Sequence, residues 1–318
     1  MTAIRVSTMG APRDYKSSLI PAICTSLGYQ IEWVKPNQCD LLILGPFENF
    51  SKKKLAWCPK PLRPIMGNIQ QALETQLSQR SFSPLTLFQT GENIRPDHVE
   101  TDYSISFDLG ISNPKHFRAP YWMEMVDWSG EGVTGNQNPR YGRLLDLEQL
   151  MQPLGDSFLR RPQVAAIFAS HLREPRGTLL KAIKAQIEVE EFGMTFNPNI
   201  KNHLESGIIK YDELQNFAFN LCPENGMFPG YYTEKIPEAF MAGCLPITWA
   251  DDNVRVDFNP NAFINLAPMS ASRFTELNNI LHSKEALSRY SSEALLTNRP
   301  TLDPLKNFLK NIIKTALS

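Results

Sequence analysis

The segment 219–249, FNLCPENGMFPGYYTEKIPEAFMAGCLPITW, restricts the fold more than any other part of the chain. Its first apolar positions alternate as in a half-buried strand, and a loop with Gly and Pro at 224–232 then leads into a helical pattern over 234–242. Gly243 ends this helix, and 245–249 start a second strand. Two strands joined by a helix indicate a parallel crossover, which is typical of open α/β sheets.

Short apolar runs alternate with helical patterns along the rest of the chain, which favours the α/β class throughout. A helix is predicted over 15–27, and the segment 129–140, rich in Gly and Asn, is predicted to be a surface excursion with a mobile tip. The predicted strands of a first open sheet are 4–7, 30–34, 41–45, 85–88 and 103–107.

The 318 residues are enough for two domains of roughly 150 residues each. The stretch 151–162 is the candidate linker, because a buried strand at 164–168 restarts the pattern after it. We therefore predict an amino-terminal domain at 1–155, a second domain at 156–300 and a carboxyl-terminal amphipathic helix at 301–318.

The segment 301–318 carries an apolar stripe with Lys306, Lys310 and Lys314 on the opposite side. This pattern fits a closing helix that packs on the protein, which we favour. It also fits a helix that makes peripheral contact with a membrane surface, so both interpretations stay open here.

Composition excludes several classes of function. The 32 Lys and Arg residues balance 33 Asp and Glu for a formal net charge of −1, so nothing points to a nucleic-acid partner. The five cysteines are scattered, with no Cys-x-x-Cys pair and no His at metal-ligand spacing, which predicts a reducing compartment and no structural zinc. No apolar run approaches the ~18 residues of a membrane span, and no signal peptide is recognisable. We expect a cytoplasmic protein.

The polar residues of the crossover lie around the start of its helix. Thr233 is the expected N-cap, and Glu234 and Lys235 follow it. Ligands of open α/β sheets bind at the carboxyl ends of strands, and a helix start with a lysine suits an anion such as a diphosphate. Glu234 is better suited to accept hydrogen bonds from sugar or ribose hydroxyls. From these residues alone, ordinary compensation of the helix dipole by an acidic residue is the simpler explanation.

Three motifs carry a resemblance to a known family: FNLCPEN at 219–225, YYTEKIPEAF at 231–240 and VRVDFNPNAFIN at 254–265. Upstream, TGEN at 90–93 and YSISFD at 103–108 extend it to the first half of the chain. Together they resemble the α1,3/4-fucosyltransferases, glycosyltransferase family ten, and in particular the bacterial branch known from Helicobacter.

The resemblance implies a GT-B type fold, in which two Rossmann-like domains face a central cleft and the second domain holds the donor. It implies an inverting transfer of L-fucose from GDP-L-fucose to an oligosaccharide acceptor. The expected linkage is α1,3 to GlcNAc or Glc of a LacNAc- or lactose-like glycan. It implies no cofactor and no essential metal, because cationic side chains supply the positive charge at the diphosphate.

The resemblance also assigns residues. The two phosphate-binding cations of the family match Lys235 and Arg176. The loop before Arg176 is one residue shorter than in the relatives, so Arg173 competes for the second role. The catalytic base matches Glu92, with Asp108 as the next candidate. The other donor contacts fall on Asn225, Tyr231 and Glu234.

Two other functions stay open. A GT-B enzyme of related sequence could use another nucleotide sugar, and a degenerate transferase could persist as a glycan-binding module without turnover. The presence of Glu92, Glu234 and Lys235 argues against the binding module.

Overall fold

The computed structural model describes residues 2–47, 83–197, 199 and 207–318. These residues form two compact units. The first unit contains the described residues of Met1–Ala119, Trp128–Asn136 and Thr301–Ser318. The second unit contains those of Pro120–Asp127 and Gln137–Pro300.

The first unit is built on a parallel sheet with the strand order β2-β1-β3-β4-β5-β6. All five strands expected from the sequence are confirmed, and β6 is an additional short strand at the sheet edge. The strands are β1 (Thr2–Met9), β2 (Tyr29–Trp33), β3 (Leu41–Leu44), β4 (Leu85–Gln89), β5 (Tyr103–Ser106) and β6 (His116–Arg118).

The helix expected over 15–27 is divided in the structure. A single 3₁₀ turn covers Tyr15–Ser17, and α1 covers Leu19–Ser26. Ser18 between them has extended backbone angles, which interrupts the helical hydrogen bonding. The prediction of one continuous helix was therefore wrong at its first turn.

The second unit contains a parallel sheet with the order β11-β10-β9-β7-β8. Its strands are β7 (Ala165–Phe168), β8 (Val189–Phe192), β9 (Phe219–Leu221), β10 (Leu245–Thr248) and β11 (Ile264–Asn265). Its helices are α2 (Leu147–Leu150), α3 (Ser157–Arg160), α4 (Arg176–Lys184), α5 (Lys210–Leu214), α6 (Lys235–Met241), α7 (Ala271–Leu281) and α8 (Lys284–Ser291).

The crossover predicted from 219–249 is confirmed as β9, α6 and β10, with β9 and β10 paired in parallel. Gly243 stops α6, because its φ of 74° lies in the left-handed region that side chains other than glycine rarely adopt. The crossover therefore places the loop between β9 and α6 at the carboxyl edge of the sheet.

Residues 120–127 and 137–155 belong to the compact unit of the second sheet, so this division does not coincide with a boundary at 155/156. One reason is the contact between α2 and α6 within the second unit. The side-chain amide of Gln149 donates a hydrogen bond to the carbonyl of Met241 (2.8 Å), at the end of α6.

The carboxyl-terminal helix α9 (Asp303–Leu317) packs inside the first unit. Its ring contacts join Phe308 to Tyr103 of β5 and to Phe117 of β6, with ring centroids 5.9 and 5.4 Å apart. Its buried residues are Leu305, Leu309, Ile312, Ile313 and Ala316. These residues of the apolar stripe are thus covered by protein, while Leu317 at the end of the helix is exposed, and membrane contact through this helix has no support. No helix among the described residues has the length and apolar character to span a bilayer.

Candidate functional site

The second sheet has a topological switch point between β7 and β9. From β7 the chain continues to β8 on one side, and the later strand β9 lies on the other side. Connections that leave in opposite directions open a crevice at the carboxyl ends of the two strands, where open α/β sheets bind ligands. The loops that border this crevice are 169–175 after β7 and 222–234 after β9.

Arg176 and Asn225 join the two loops across this switch point. The Arg176 guanidinium, at the first position of α4, donates a hydrogen bond to the Asn225 side-chain carbonyl, and its other nitrogen lies 3.4 Å from Nε2 of His171. Arg176 is only 6% exposed, whereas Arg173 is exposed and contacts His171 through its backbone N–H. The structure thus brings Arg176 and Asn225 together and leaves the Arg173 side chain toward solvent.

The pKa of His171 is affected by the positive side chains around this crevice. Burial lowers the pKa of His171, and the charges of Arg176, Arg173 and Lys235 lower it further. The imidazole is therefore neutral at neutral pH, and all three cations lie within electrostatic range of it. Positive side chains thus cluster where the loops after β7 and β9 border the crevice.

Lys235 is held in place by a buried carboxylate. Its ammonium donates to Oε2 of Glu224 (2.9 Å) and to the hydroxyl of Thr233 (2.6 Å), and its side chain is 17% exposed. Burial alone would lower the pKa of Lys235, but the carboxylates of Glu224 and Glu234 outweigh burial and raise it. Lys235 is therefore a cation at every physiological pH, and one of its three N–H donors is left for a ligand.

Thr233 does not cap the helix. Glu234 occupies the N-cap position of α6, where no side chain makes a capping bond. The Thr233 hydroxyl and backbone N–H instead both donate to Glu224, at 2.8 Å each. The N-cap prediction was wrong because a carboxylate without solvent exposure needs hydrogen-bond donors, and Thr233 supplies two of them.

Glu234 is half-buried and ionised. Burial would raise the pKa of Glu234, but the ammonium groups of Lys235 and Lys210 hold it below the ordinary value. Tyr231, in the same loop, is 2% exposed, and its backbone N–H donates to the carbonyl of Phe228 (3.0 Å). The Tyr231 ring thus belongs to the interior under the loop, while Glu234 reaches the surface.

In the first unit, Glu92 and Asp108 follow the neighbouring strands β4 and β5. Glu92 is exposed, and its backbone N–H donates to the Thr90 hydroxyl (3.0 Å), which fixes the turn after the strand. Asp108 is 1% exposed, accepts a hydrogen bond from Ser106 (2.6 Å) and lies 3.0 Å from Nε of Arg95. Asp108 is already paired inside the unit, so it is poorly suited to accept a proton from a substrate.

The segment 129–140 differs from its prediction. Val133, Asn136 and Asn138 are buried, and the Asn138 amide donates to the Glu238 carboxylate (2.8 Å). The prediction of a surface excursion was wrong for these residues, because a polar side chain with a buried partner is as much a core residue as an apolar one.

The described residues contain no group of three or more His, Cys, Asp or Glu side chains arranged to hold a metal ion. A reaction without metal or cofactor stays a prediction.

Sequence models of one family match both halves of the chain. The model for the C-terminal part of glycosyltransferase family 10 (fucosyltransferase) matches residues 158–292, and the model for the N-terminal domain of Alpha-(1,3)-fucosyltransferase FucT matches residues 76–125. Residues 158–292 thus carry the C-terminal domain of glycosyltransferase family 10. The resemblance stated from the motifs is thereby confirmed.

A curated protein of similar sequence is also a fucosyltransferase. The chain is 28% identical over 214 residues to Alpha-(1,3)-fucosyltransferase FucT of Helicobacter pylori, and the match covers 63% of this chain and 43% of that protein. The chain thus spans less than half the length of this curated relative.

Solved structures show the same fold. A crystal structure of an alpha1,3-fucosyltransferase with GDP-fucose has a TM-score of 0.68 at 20% identity, over 99% of this chain and 91% of that one. A second alpha1,3-fucosyltransferase structure also has a TM-score of 0.68, at 22% identity, over 98% and 90%. The predicted GT-B type fold with two Rossmann-like domains is confirmed.

Several residues of the site have no assignment from the sequence. Glu224 lies within the FNLCPEN motif at 219–225, and an acidic residue soon after an apolar strand is a signal that could have identified it. Lys210 and Glu238 form a buried ion pair (2.6 Å) although they are 28 residues apart. No spacing rule connects those two positions, so only the fold brings them together.

Proposed function

We propose that this chain transfers L-fucose from GDP-L-fucose to a hydroxyl of an oligosaccharide acceptor with inversion at the anomeric carbon. The observation that carries the proposal is the pair of cations at the switch point, Arg176 at the start of α4 and Lys235 at the start of α6. The family 10 domain at 158–292 supports fucose as the sugar, and a structural relative that binds GDP-fucose supports the donor.

The leaving group sets the requirement for positive charge. As the bond from the anomeric carbon to the diphosphate breaks, the sugar gains oxocarbenium character and the phosphates gain negative charge. Arg176 and Lys235 would stabilise that charge, and both are already oriented by Asn225 and Glu224, so little reorganisation is needed. Two fixed cations give a physical reason to expect transfer without a divalent metal.

Glu234 would bind hydroxyl groups of the donor. An ionised carboxylate is a strong acceptor, and charge-assisted hydrogen bonds are about twice as strong as neutral ones. Asn225, which is exposed, completes the proposed donor contacts, and the buried Tyr231 ring would support the loop that carries Asn225.

Glu92 is the proposed general base. In an inverting displacement the acceptor hydroxyl attacks the anomeric carbon from the side opposite the diphosphate, and a carboxylate takes its proton as the new bond forms. Glu92 is an exposed carboxylate in a turn fixed by Thr90, so it can approach a substrate. Asp108 lacks that access.

The acceptor is proposed from the relatives alone. Their names specify α1,3 transfer, which suggests GlcNAc or Glc of a LacNAc- or lactose-like glycan as the target.

The proposal is tested by incubating the protein with radiolabelled GDP-fucose and an acceptor panel that includes LacNAc and lactose, each in α1,3-blocked and unblocked form. We expect label to enter the unblocked acceptors. Label from UDP- or GDP-linked sugars other than fucose would indicate a different donor. Acceptor binding without transfer from any donor would indicate a glycan-binding module.

A further inference from the structure

Two lysines lie near the start of α6, the buried Lys210 and the mostly buried Lys235, and each has a carboxylate of its own. Lys235 pairs with Glu224 (2.9 Å), and Lys210 of α5 pairs with Glu238 of α6 (2.6 Å). The two carboxylate side chains are 0% and 3% exposed. Buried charges of this kind are tolerated only when they are paired, so each carboxylate needs the lysine that it contacts.

Glu238 is held by contacts from three segments. Its carboxylate accepts from Asn138 (2.8 Å) and Lys210 (2.6 Å), and its backbone carbonyl accepts from the Tyr141 hydroxyl (2.7 Å). Its backbone N–H donates to the carbonyl of Glu234 (2.9 Å), one helical turn earlier. Residues four apart lie on the same face of a helix, so Glu238 and Glu234 are neighbours on one face of α6.

Glu234 directly precedes Lys235 and lies one helical turn before Glu238. Among the residues that the structure describes, it has no ion-pair partner, and it is half-buried where the other two are enclosed. The charges that act on it are Lys235 from its own helix, Lys210 from α5, Arg140 from the segment before Tyr141, and Glu238. If Glu238 did not occupy Lys210, that ammonium would attract Glu234 into the interior.

We propose that Glu238 is a positioning residue that binds the Lys210 ammonium and thereby keeps Glu234 available for hydroxyl groups of the donor. This inference rests on the proposed function, because it takes the nucleotide sugar as the ligand of Glu234. Glu238 itself touches no substrate in this scheme and acts through Glu234. A purely structural role would instead tie α6 to α5 without affecting Glu234.

A double-mutant cycle distinguishes the positioning role of Glu238 from a purely structural role. The quantity measured is the affinity for GDP-fucose, determined by calorimetry. Glu234→Gln and Glu238→Gln should each weaken binding about tenfold, the size expected for loss of one charge-assisted hydrogen bond. Because Glu238 acts through Glu234, the double variant should bind no more weakly than Glu234→Gln alone. If the two tenfold losses of affinity multiply, so that the double variant binds GDP-fucose about a hundredfold more weakly than wild type, the proposal is overturned.

Rescue provides the second readout. In Glu238→Gln/Lys210→Met the ammonium that would draw Glu234 inward is gone and Lys235 is unchanged, so GDP-fucose affinity should return to within about threefold of wild type. Continued weak binding by a folded double variant would contradict the proposal. Glu191→Gln, which removes an exposed pair with Lys184 (2.8 Å) in the same unit, is the matched control and should bind normally.

An unpaired Lys210 could prevent Glu238→Gln from folding, so Glu238→Asp is the alternative variant. Aspartate keeps the negative charge on a side chain that is one methylene shorter. Glu238→Asp should weaken GDP-fucose binding about threefold in the wild-type background and have no effect in the Glu234→Gln background. Equal loss in the wild-type and Glu234→Gln backgrounds would overturn the proposal. The wild-type protein tests the proposed function separately: no GDP-fucose binding there would overturn both, whereas normal wild-type binding with additive variants overturns the positioning role alone.

Discussion

Arg176 and Asn225 are 49 residues apart in the chain, and their side chains are hydrogen-bonded across the switch point between β7 and β9. The contact fixes a guanidinium that is almost completely buried at the carboxyl edge of the second sheet. Arg173, three residues earlier, is exposed and takes no part in it. The two arginines therefore have different surroundings, although both precede or begin the same helix.

This difference predicts different effects of the two arginines on turnover. Arg176→Ala should cost on the order of 2–4 kcal/mol of transition-state stabilisation, because a preoriented cation at the diphosphate is lost. Arg173→Ala should stay near wild type. The measurement is kcat/KM for GDP-fucose with the melting temperature of each variant. A crippled Arg173→Ala beside an active Arg176→Ala would reverse the assignment.

A second prediction concerns the carboxylate behind Lys235. In Glu224→Gln the pKa of Lys235 should fall, because burial then acts against a weaker opposing carboxylate field. Lys235 would lose its proton at a lower pH than in wild type, so the alkaline decline of kcat/KM should begin at lower pH. A pH profile from neutral to alkaline conditions tests this, with Glu191→Gln as the control. An unshifted alkaline decline would show that Glu224 does not set the charge of Lys235.

A third prediction separates Glu92 from Asp108. Glu92→Gln keeps the shape and removes the base, so kcat should fall about 100-fold or more while donor affinity and melting temperature stay close to wild type. Asp108→Asn should lower stability by about 1–3 kcal/mol, because Arg95 and Ser106 lose a buried partner. A destabilised but fully active Glu92→Gln enzyme would remove Glu92 from the base role.

The sequence predicts local features of this fold well. The crossover over 219–249 and the first five strands follow from periodicity, because each pattern is contained within a few neighbouring residues. The strands β6, β8 and β11 escape prediction, since they have two to four residues each and lie at or near sheet edges. Such short strands form because a neighbouring strand is already present to pair with them.

The polar interior is harder to predict. The Thr233 hydroxyl is directed to Glu224, and Asn138 is buried because Glu238 lies opposite it. These partners are 9 and 100 residues apart, so no local spacing identifies them. The candidate donor residues come from the family resemblance, and the carboxylates that hold them come only from the structure.

A fourth prediction follows from the cationic character of the site. Transfer should persist in excess EDTA, because Arg176 and Lys235 provide the charge that a metal would otherwise supply. The measurement is initial rate with and without chelator, followed by addition of Mn²⁺ or Mg²⁺. Complete loss of activity that manganese alone restores would contradict the metal-free mechanism.

The central claim is that the second unit binds a guanosine diphosphate sugar at the switch point. Isothermal calorimetry of the wild-type protein with GDP and with UDP tests it most directly, with Lys235→Ala as the variant that removes a phosphate contact. We expect GDP to bind at least about tenfold more tightly than UDP, and Lys235→Ala to weaken GDP binding by about tenfold or more. Equal affinity for the two nucleotides, or GDP binding that is unchanged in Lys235→Ala, would contradict the claim.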